Sequence, residues 1–245
     1  MNTTTLKNEH TVASREEWLA ARKELLKTEK ELTRQRDKVR ADARALPWVK
    51  VDKNYVFDGP DGKVTLSELF KGNSQLIVYH FMFDPAWDEG CPGCSFISDH
   101  VDGARMHFEN RDVSYVAISR APLEKLMAYR KRMGWKFPWV SSGNTDFNYD
   151  FNVSFTEEQI ADGEAFYNYA PNDEPGECPG ASVFYKNEAG EIFHTYSTYG
   201  RGLEEALGTF VWMDLTPKGR NEEGTMNWVR RHDQYEKSQG GCCCH

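Results

Sequence analysis

Residues 75–98 read QLIVYHFMFDPAWDEGCPGCSFIS, and the joint inside this stretch decides the fold. Gln75 to Phe83 are almost all apolar, the pattern of a strand covered on both faces, as the strands of parallel sheets are. The Asp84 to Gly90 loop follows. Cys91 then opens a segment in which Phe96, Ile97, Val101, Ala104 and Phe108 keep helical spacing. A Cys-x-x-Cys at such a strand-to-helix joint is chemically specific, because a helix N-terminus presents free N–H groups and a partial positive charge that favour thiolate at Cys91. Cys94, one turn on, can swing to the same sulfur. Pro92 suits the first turn because its missing donor has no partner there anyway, and Gly93 leaves the pair open to a partner. Cys91 is therefore read as the attacking thiolate and Cys94 as the resolving thiol. Asp84, Asp88 and Glu89 would raise the Cys91 pKa if they lay close to it.

Downstream, VSYVAIS (113–119) reads as a second strand. Pro122 starts a helix, LEKLMAYRKRMG, that Gly134 stops, and FPWVSS is extended again. Strand, helix, strand, helix is the grammar of a parallel sheet. Residues 143–177 interrupt it as an insertion rich in Asn, Asp, Tyr and Phe, with a short helix expected at Thr156 to Gln159. ASVFY, the turn NEAG and EIFHTYS then form a β-hairpin, and Leu203 to Met213 a closing helix. Upstream, VKVDKNYVF, the turn DGPDG and VTLSELF form an extended entry. Ahead of Pro47, Ser14 and Glu17 have the form of a capping box, and Trp18, Leu25, Leu32, Val39 and Leu46 recur every seven residues, which predicts one helix from Arg15 to Leu46. So narrow a seam must dock, either along its own domain or on a second subunit, and a homodimer is expected. The division is a helical arm (1–46), an α/β domain (47–216) and a polar tail (217–245).

The 245 residues carry 30 Lys plus Arg against 38 Asp plus Glu, a net charge of −8, which argues against nucleic acid or anionic lipid as partner. With 39% apolar and 13% aromatic residues the chain can bury a large core. The N-terminus lacks an apolar signal region and no apolar run could span a bilayer. Six cysteines in so long a chain do not form a secreted disulfide scaffold, so a reducing, cytoplasmic setting is expected.

Cys178-Pro179 stands just before ASVFY. A proline there cannot join a central ladder, but as a cis residue it would turn its backbone toward the Cys-x-x-Cys. With that element the layout, over about residues 50–213, resembles the thioredoxin fold, a central mixed sheet flanked by helices. Here it carries a long N-terminal helix and an insertion ahead of the cis-proline, and DGKVTLSELFKGNSQLIVYHFMF is similar to the entry of peroxiredoxin-like members. FDPAWDEGCPGCSFISDHVDG, VSYVAISRAPLEKLMAYRKRMGWKFPWVSS, FNYDF and FHTYSTYGRG resemble more narrowly a thioredoxin-like family of undefined function described as predicted dithiol-disulfide isomerases. The resemblance implies a thiol-disulfide oxidoreductase needing no cofactor, acting on a thiol or disulfide that is a small molecule or a protein. Gly90 stands where thioredoxin itself has Trp before the first Cys.

The remaining candidates carry two readings each. Cys178 is either a third thiol beside Cys91 or a small apolar filler. Arg120, at the C-terminal end of VSYVAIS, either steers an anionic substrate or caps a loop. Soft thiolates favour Cu(I), so Cys91 and Cys94 with His100 or His194 form an alternative copper site of an oxidase or metal carrier. Against this, each His, His80 included, reads equally as a satisfied core residue. Trp135, Phe137, Trp139, Phe147, Tyr149 and Phe151 are core or the wall of a pocket. The end GGCCCH admits a flexible thiol-bearing tail, a soft-metal collector or a lipidation signal.

Overall fold

The computed structural model describes residues 10–235, so Cys242 to Cys244 and the readings of the tail lie outside the described residues. The chain divides into two units, Met1–Leu46 and Pro47–His245.

Among its described residues the first unit holds one helix, α1 (Arg15–Arg44). Its capping box forms as the sequence predicts: Glu17 N–H donates to Ser14 Oγ at 3.2 Å and Ser14 N–H to Glu17 Oε2 at 2.8 Å. Ala45 caps its C-terminus, so it stops just short of the expected Leu46. None of its residues is buried, and Trp18, Leu25, Leu32 and Val39 are about half exposed or more.

The second unit is built on β1 (Val49–Lys50), β2 (Val56–Gly59), β3 (Gly62–Thr65), β4 (Gln75–His80), β5 (Val113–Ser119), β6 (Trp139–Ser141), β7 (Gly180–Lys186) and β8 (Ile192–Tyr199). They form one mixed sheet in the order β1-β8-β7-β4-β5-β6-β2-β3. Its centre is β4, parallel to β5 on one side and antiparallel to β7 on the other, with His80 opposite Ile118 and Gly180. Between β4 and β5 the chain crosses over through α2 (Pro92–Ser98) and α3 (Val101–Glu109). α4 (Leu123–Arg132) joins β5 to β6, and α5 (Gly208–Asp214) follows the β7–β8 hairpin. A β-α-β crossover beside a β-hairpin, sharing one central strand, is a thioredoxin-like fold.

Period-two alternation along β4 sorts its side chains onto two cores. Leu76 and Val78 pack with Phe57, Phe70, Ile118, Phe147 and Phe184. Tyr79 packs on the opposite face with Phe81, Cys94, Tyr115, Tyr129, Trp135 and Trp139. The aromatic stretch read from the sequence is thus chiefly core: Trp135, Phe137, Trp139, Phe147 and Phe151 are all buried. The 143–177 insertion holds helical turns at Phe147–Asp150 and Glu157–Ala161, the second capped reciprocally by Thr156 and Gln159.

Three expectations are corrected. The helix after Cys91 is two helices, because the His100 ring takes the Phe96 carbonyl (Nδ1 to O, 2.8 Å) and its own N–H turns to Ile97 O at 3.0 Å. The closing helix is likewise split, a tighter 3-10 stretch at Gly200–Ala206 giving way at Leu207 to α5. Finally, no peptide bond among the described residues is cis, that before Pro179 included. Cys178 N–H bonds Val153 O at 2.9 Å, and Pro179 O accepts from the Tyr167 hydroxyl at 2.7 Å. These bonds hold the entry to β7 against the insertion with a trans Pro179, and the fold rests on the strand order instead.

Candidate active site

Cys91 sits at the N-cap of α2, with Pro92 in its first turn. The backbone of Met82 ties the joint at both cysteines: Cys91 N–H donates to Met82 O at 3.1 Å, and Met82 N–H to Cys94 Sγ at 3.4 Å. Both thiols are free. Cys91 is partly exposed, whereas Cys94 is 1% exposed inside the aromatic core.

Their environments push the two sulfurs apart. The Cys91 thiol falls to about 6, chiefly through its hydrogen bond with the Cys94 thiol; burial opposes this, and the N–H groups of Cys94 and Gly93 and the charge of Arg231 add to it. Burial pushes Cys94 well above its ordinary range, and the neighbouring Cys91 charge adds to that. One thiolate at the surface and one thiol beneath it is the division of labour that disulfide exchange uses.

Of the flanking acids, Glu89 is neutralised by ion pairs. Glu89 is paired with Arg132 and, at 2.8 Å, with Arg231. Arg231 is the residue the sequence reading missed. It donates to Gly90 O through Nη2 at 2.7 Å and to the Tyr129 hydroxyl through Nε at 2.9 Å, and Ser95 Oγ closes the ring to Tyr129 at 2.9 Å. A Cβ placed on Gly93 would lie 3.4 Å from Met226 Cε and 3.8 Å from Cys91 Sγ. The chain after α5 therefore borders the cysteine turn, which is less open than Gly93 alone suggests. The apolar anchors Met226, Trp228 and Val229 gave a sequence signal for this packing, but nothing in the sequence tied Arg231 to Cys91.

Gly90, where thioredoxin has Trp, has a steric cause here: an added Cβ would lie 2.7 Å from Phe81 Cε1 and 3.0 Å from Tyr129 Cε1, both on buried rings. Gly90→Ala is expected to lose about 1–3 kcal/mol by overpacking, measured as a lower urea midpoint. An unchanged midpoint would show that the rings yield freely.

The other candidates disperse. Cys178 is pushed up to about 11 by burial and by Glu177 and Glu174, which leaves a neutral thiol rather than a second attacker. His100 spends both ring nitrogens, on Phe96 O and on Thr209. His194 bonds Ser197 and packs on Phe151 and Phe184. His80 bonds Ser182 at 2.8 Å, and burial lowers it to about 3, so it stays neutral. No three His, Cys, Asp or Glu side chains among the described residues are placed to hold a metal ion. The copper set of Cys91 and Cys94 with His100 or His194 is thus not assembled, because both imidazoles are held elsewhere by the core. Arg120 pairs with buried Glu177 at 2.7 Å and lies over the Tyr149 ring. It also lines a cleft of about 610 Å³ with Asp58, Lys63, Pro85, Pro122 and Asn144, to which neither site cysteine contributes. No helix among the described residues is long and apolar enough to cross a membrane.

Fold and site together define a thioredoxin-like domain with a dithiol at a helix N-terminus. The chain belongs to the family described as bacterial protein of unknown function (DUF899), whose model matches residues 7–235. No curated protein matches it. Among solved structures it is similar to the peroxidoxin BcpB of Mycobacterium tuberculosis, with 14% identity, a TM-score of 0.45, and 66% of this chain and 94% of that one covered. It is equally similar to a mutant of PrxQ from Xylella fastidiosa, with 14% identity, a TM-score of 0.45, and 67% and 94% covered.

Proposed function

We propose that the protein is a thiol-disulfide oxidoreductase in which Cys91 attacks a disulfide, or a thiol-reactive substrate, and Cys94 displaces the product. The observation that carries this reading is the opposed tuning of the two sulfurs, with Cys91 drawn down to about 6 and Cys94 buried and held as the thiol. When Cys91 attacks a disulfide R–S–S–R′, a Cys91–S–S–R bond forms and R′–S⁻ leaves. Cys94 then attacks the Cys91 sulfur, R–S⁻ leaves, and the cysteine pair ends oxidised as the substrate ends reduced. No cofactor enters either step. The substrate is a small molecule or protein that can reach a sulfur bordered by Met226, in a cytoplasmic, reducing setting that returns the pair to the dithiol.

The test has two parts. Alkylation of Cys91 by iodoacetamide should hold its rate above about pH 7 and fall as the pH drops through about 6, because the thiolate is lost there. Equilibration with glutathione buffers should yield an intramolecular Cys91–Cys94 disulfide. A pair that never oxidises, or a Cys91 that reacts only above the ordinary thiol range of about 8.5, would overturn the proposal.

For assembly, the exposed heptad positions of α1 are proposed to pack on the same seam of a second copy. Light scattering should give a dimer for the full chain. A monomer there and in a chain cut to residues 47–245 would refute it.

A further inference from the structure

Two tyrosines beneath the cysteine pair have no task in the resting dithiol. Tyr79 on β4 and Tyr115 on β5 are 2% and 6% exposed, and neither hydroxyl has a hydrogen-bond partner among the described groups. A buried hydroxyl without a partner is destabilising, and phenylalanine would fill the same space without that cost. Both rings belong to the core cluster that holds Cys94. Tyr79 and Cys94 are neighbours in that cluster with no hydrogen bond between hydroxyl and sulfur at rest, and the two groups influence each other directly, whereas Tyr115 is coupled to that sulfur through charge alone. The alternation of β4 fixes this placement: Val78 lies in the other core, the His80 ring packs there on Phe147 and Phe151, and Tyr79 alone of the three shares the core of Cys94.

We infer that Tyr79 is a catalytic residue of the second step, the donor whose hydroxyl turns onto the Cys94 sulfur as that sulfur becomes a thiolate. The inference rests on the exchange reaction proposed above and concerns only its resolving half. Cys94 is enclosed by aromatic rings, and among the described residues Met82 N–H at 3.4 Å is the one backbone donor on its sulfur. Negative charge there needs a second donor. In the step itself the Cys94–Cys91 bond forms, the Cys91–substrate bond breaks, and the electron pair leaves on the substrate sulfur. That sulfur takes up the proton Cys94 gave up. Tyr79 keeps its own proton throughout, consistent with a phenol held well above its ordinary range by burial.

The test uses the full chain with Cys178, Cys242, Cys243 and Cys244 replaced by serine and a dithiobis-nitrobenzoate disulfide as substrate, which releases one coloured thiolate in each step. Wild-type Tyr79 should give two releases. Tyr79→Phe should leave the first unchanged and slow the second about tenfold or more, with a melting temperature equal to or above that of the parent. Tyr115→Phe should alter the second release far less. Equal second-step rates in parent and Tyr79→Phe would overturn the assignment. So would a slowing of both steps alike, which marks a packing role, or an effect confined to Tyr115→Phe. If the parent itself releases only one thiolate, the exchange reaction has failed, and that result is distinct from any defect of the tyrosine variant.

Discussion

Cys91→Ser is expected to reduce disulfide exchange to the uncatalysed level, and Cys94→Ser to stop it one step later, with a mixed disulfide accumulating on Cys91. The first outcome follows because an alcohol cannot form the S–S bond. The size of the wild-type advantage follows from the thiolate. With the thiol near 6, Cys91 is mainly thiolate at pH 7, while an ordinary thiol near 8.5 is ionised to a few per cent. That gain of roughly thirtyfold in thiolate is partly returned, since nucleophilicity falls with pKa at a slope of about 0.4–0.5. What remains is about a two- to threefold gain in attack. The larger benefit comes on the way back, where a stabilised Cys91 thiolate is the better leaving group when a reductant opens the disulfide. Mass spectrometry of Cys94→Ser after exposure to a substrate disulfide should show one adduct, lost on reduction and absent from Cys91→Ser/Cys94→Ser. An adduct that persists in the double variant places the chemistry at another cysteine.

What could be foreseen of this site was what depends on neighbours in the chain. The capping box at Ser14 with Glu17 and the short helix expected at Thr156 to Gln159 are local signals; the box forms, and the helix runs Glu157–Ala161. The apolar run from Gln75 and the placement of Cys91 at a helix start are also local, and they locate the thiolate. The alternation of β4 even carries Tyr79 to the face of Cys94, but an apolar strand does not announce which of its hydroxyls lacks a partner. What escaped the reading lies far off in the chain. Arg231 is 141 positions from the Gly90 carbonyl it holds; it pairs with Glu89, one of the three upstream acids, and its charge helps to lower Cys91. His100 and His194 looked available as ligands because the sequence cannot show that Thr209 and Ser197 bond the Nε2 of each ring and that the His100 Nδ1 is on Phe96 O. The cis reading of Pro179 rested on its place before ASVFY, where it cannot join a central ladder, and the bonds of Cys178 and Pro179 to Val153 and Tyr167 show how the insertion provides a different, trans entry to β7.

Arg120→Met is expected to cost the most stability of any single change at the ends of β5 and β7. The Glu177 side chain is 1% exposed and accepts from Arg120 at 2.7 Å and Ser154 Oγ at 2.8 Å. Its pKa is raised: burial outweighs the lowering by Ser154 and Arg120, and Asp84 adds to the rise. A carboxyl whose folded pKa lies above its unfolded value contributes stability that is fully present at low pH and lost as the pH rises through the folded value. The charged form at pH 7 is therefore tolerated only because Arg120 faces it. Without the guanidinium the ionised carboxylate is left in a buried site with one hydroxyl, a loss of about 3–5 kcal/mol at pH 7. The same sign argument predicts that the deficit shrinks as the pH is lowered through the still higher pKa of the variant, where the carboxyl protonates. Arg120→Met/Glu177→Gln removes both charges and should recover most of the loss. Urea unfolding of the four forms at neutral and acidic pH gives the double-mutant cycle. A deficit of under about 1 kcal/mol, the range of exposed ion pairs, or one independent of pH, would show that Glu177 is solvated. In that case Arg120 would not be tied to Glu177 and would be free to meet an anionic substrate at its cleft.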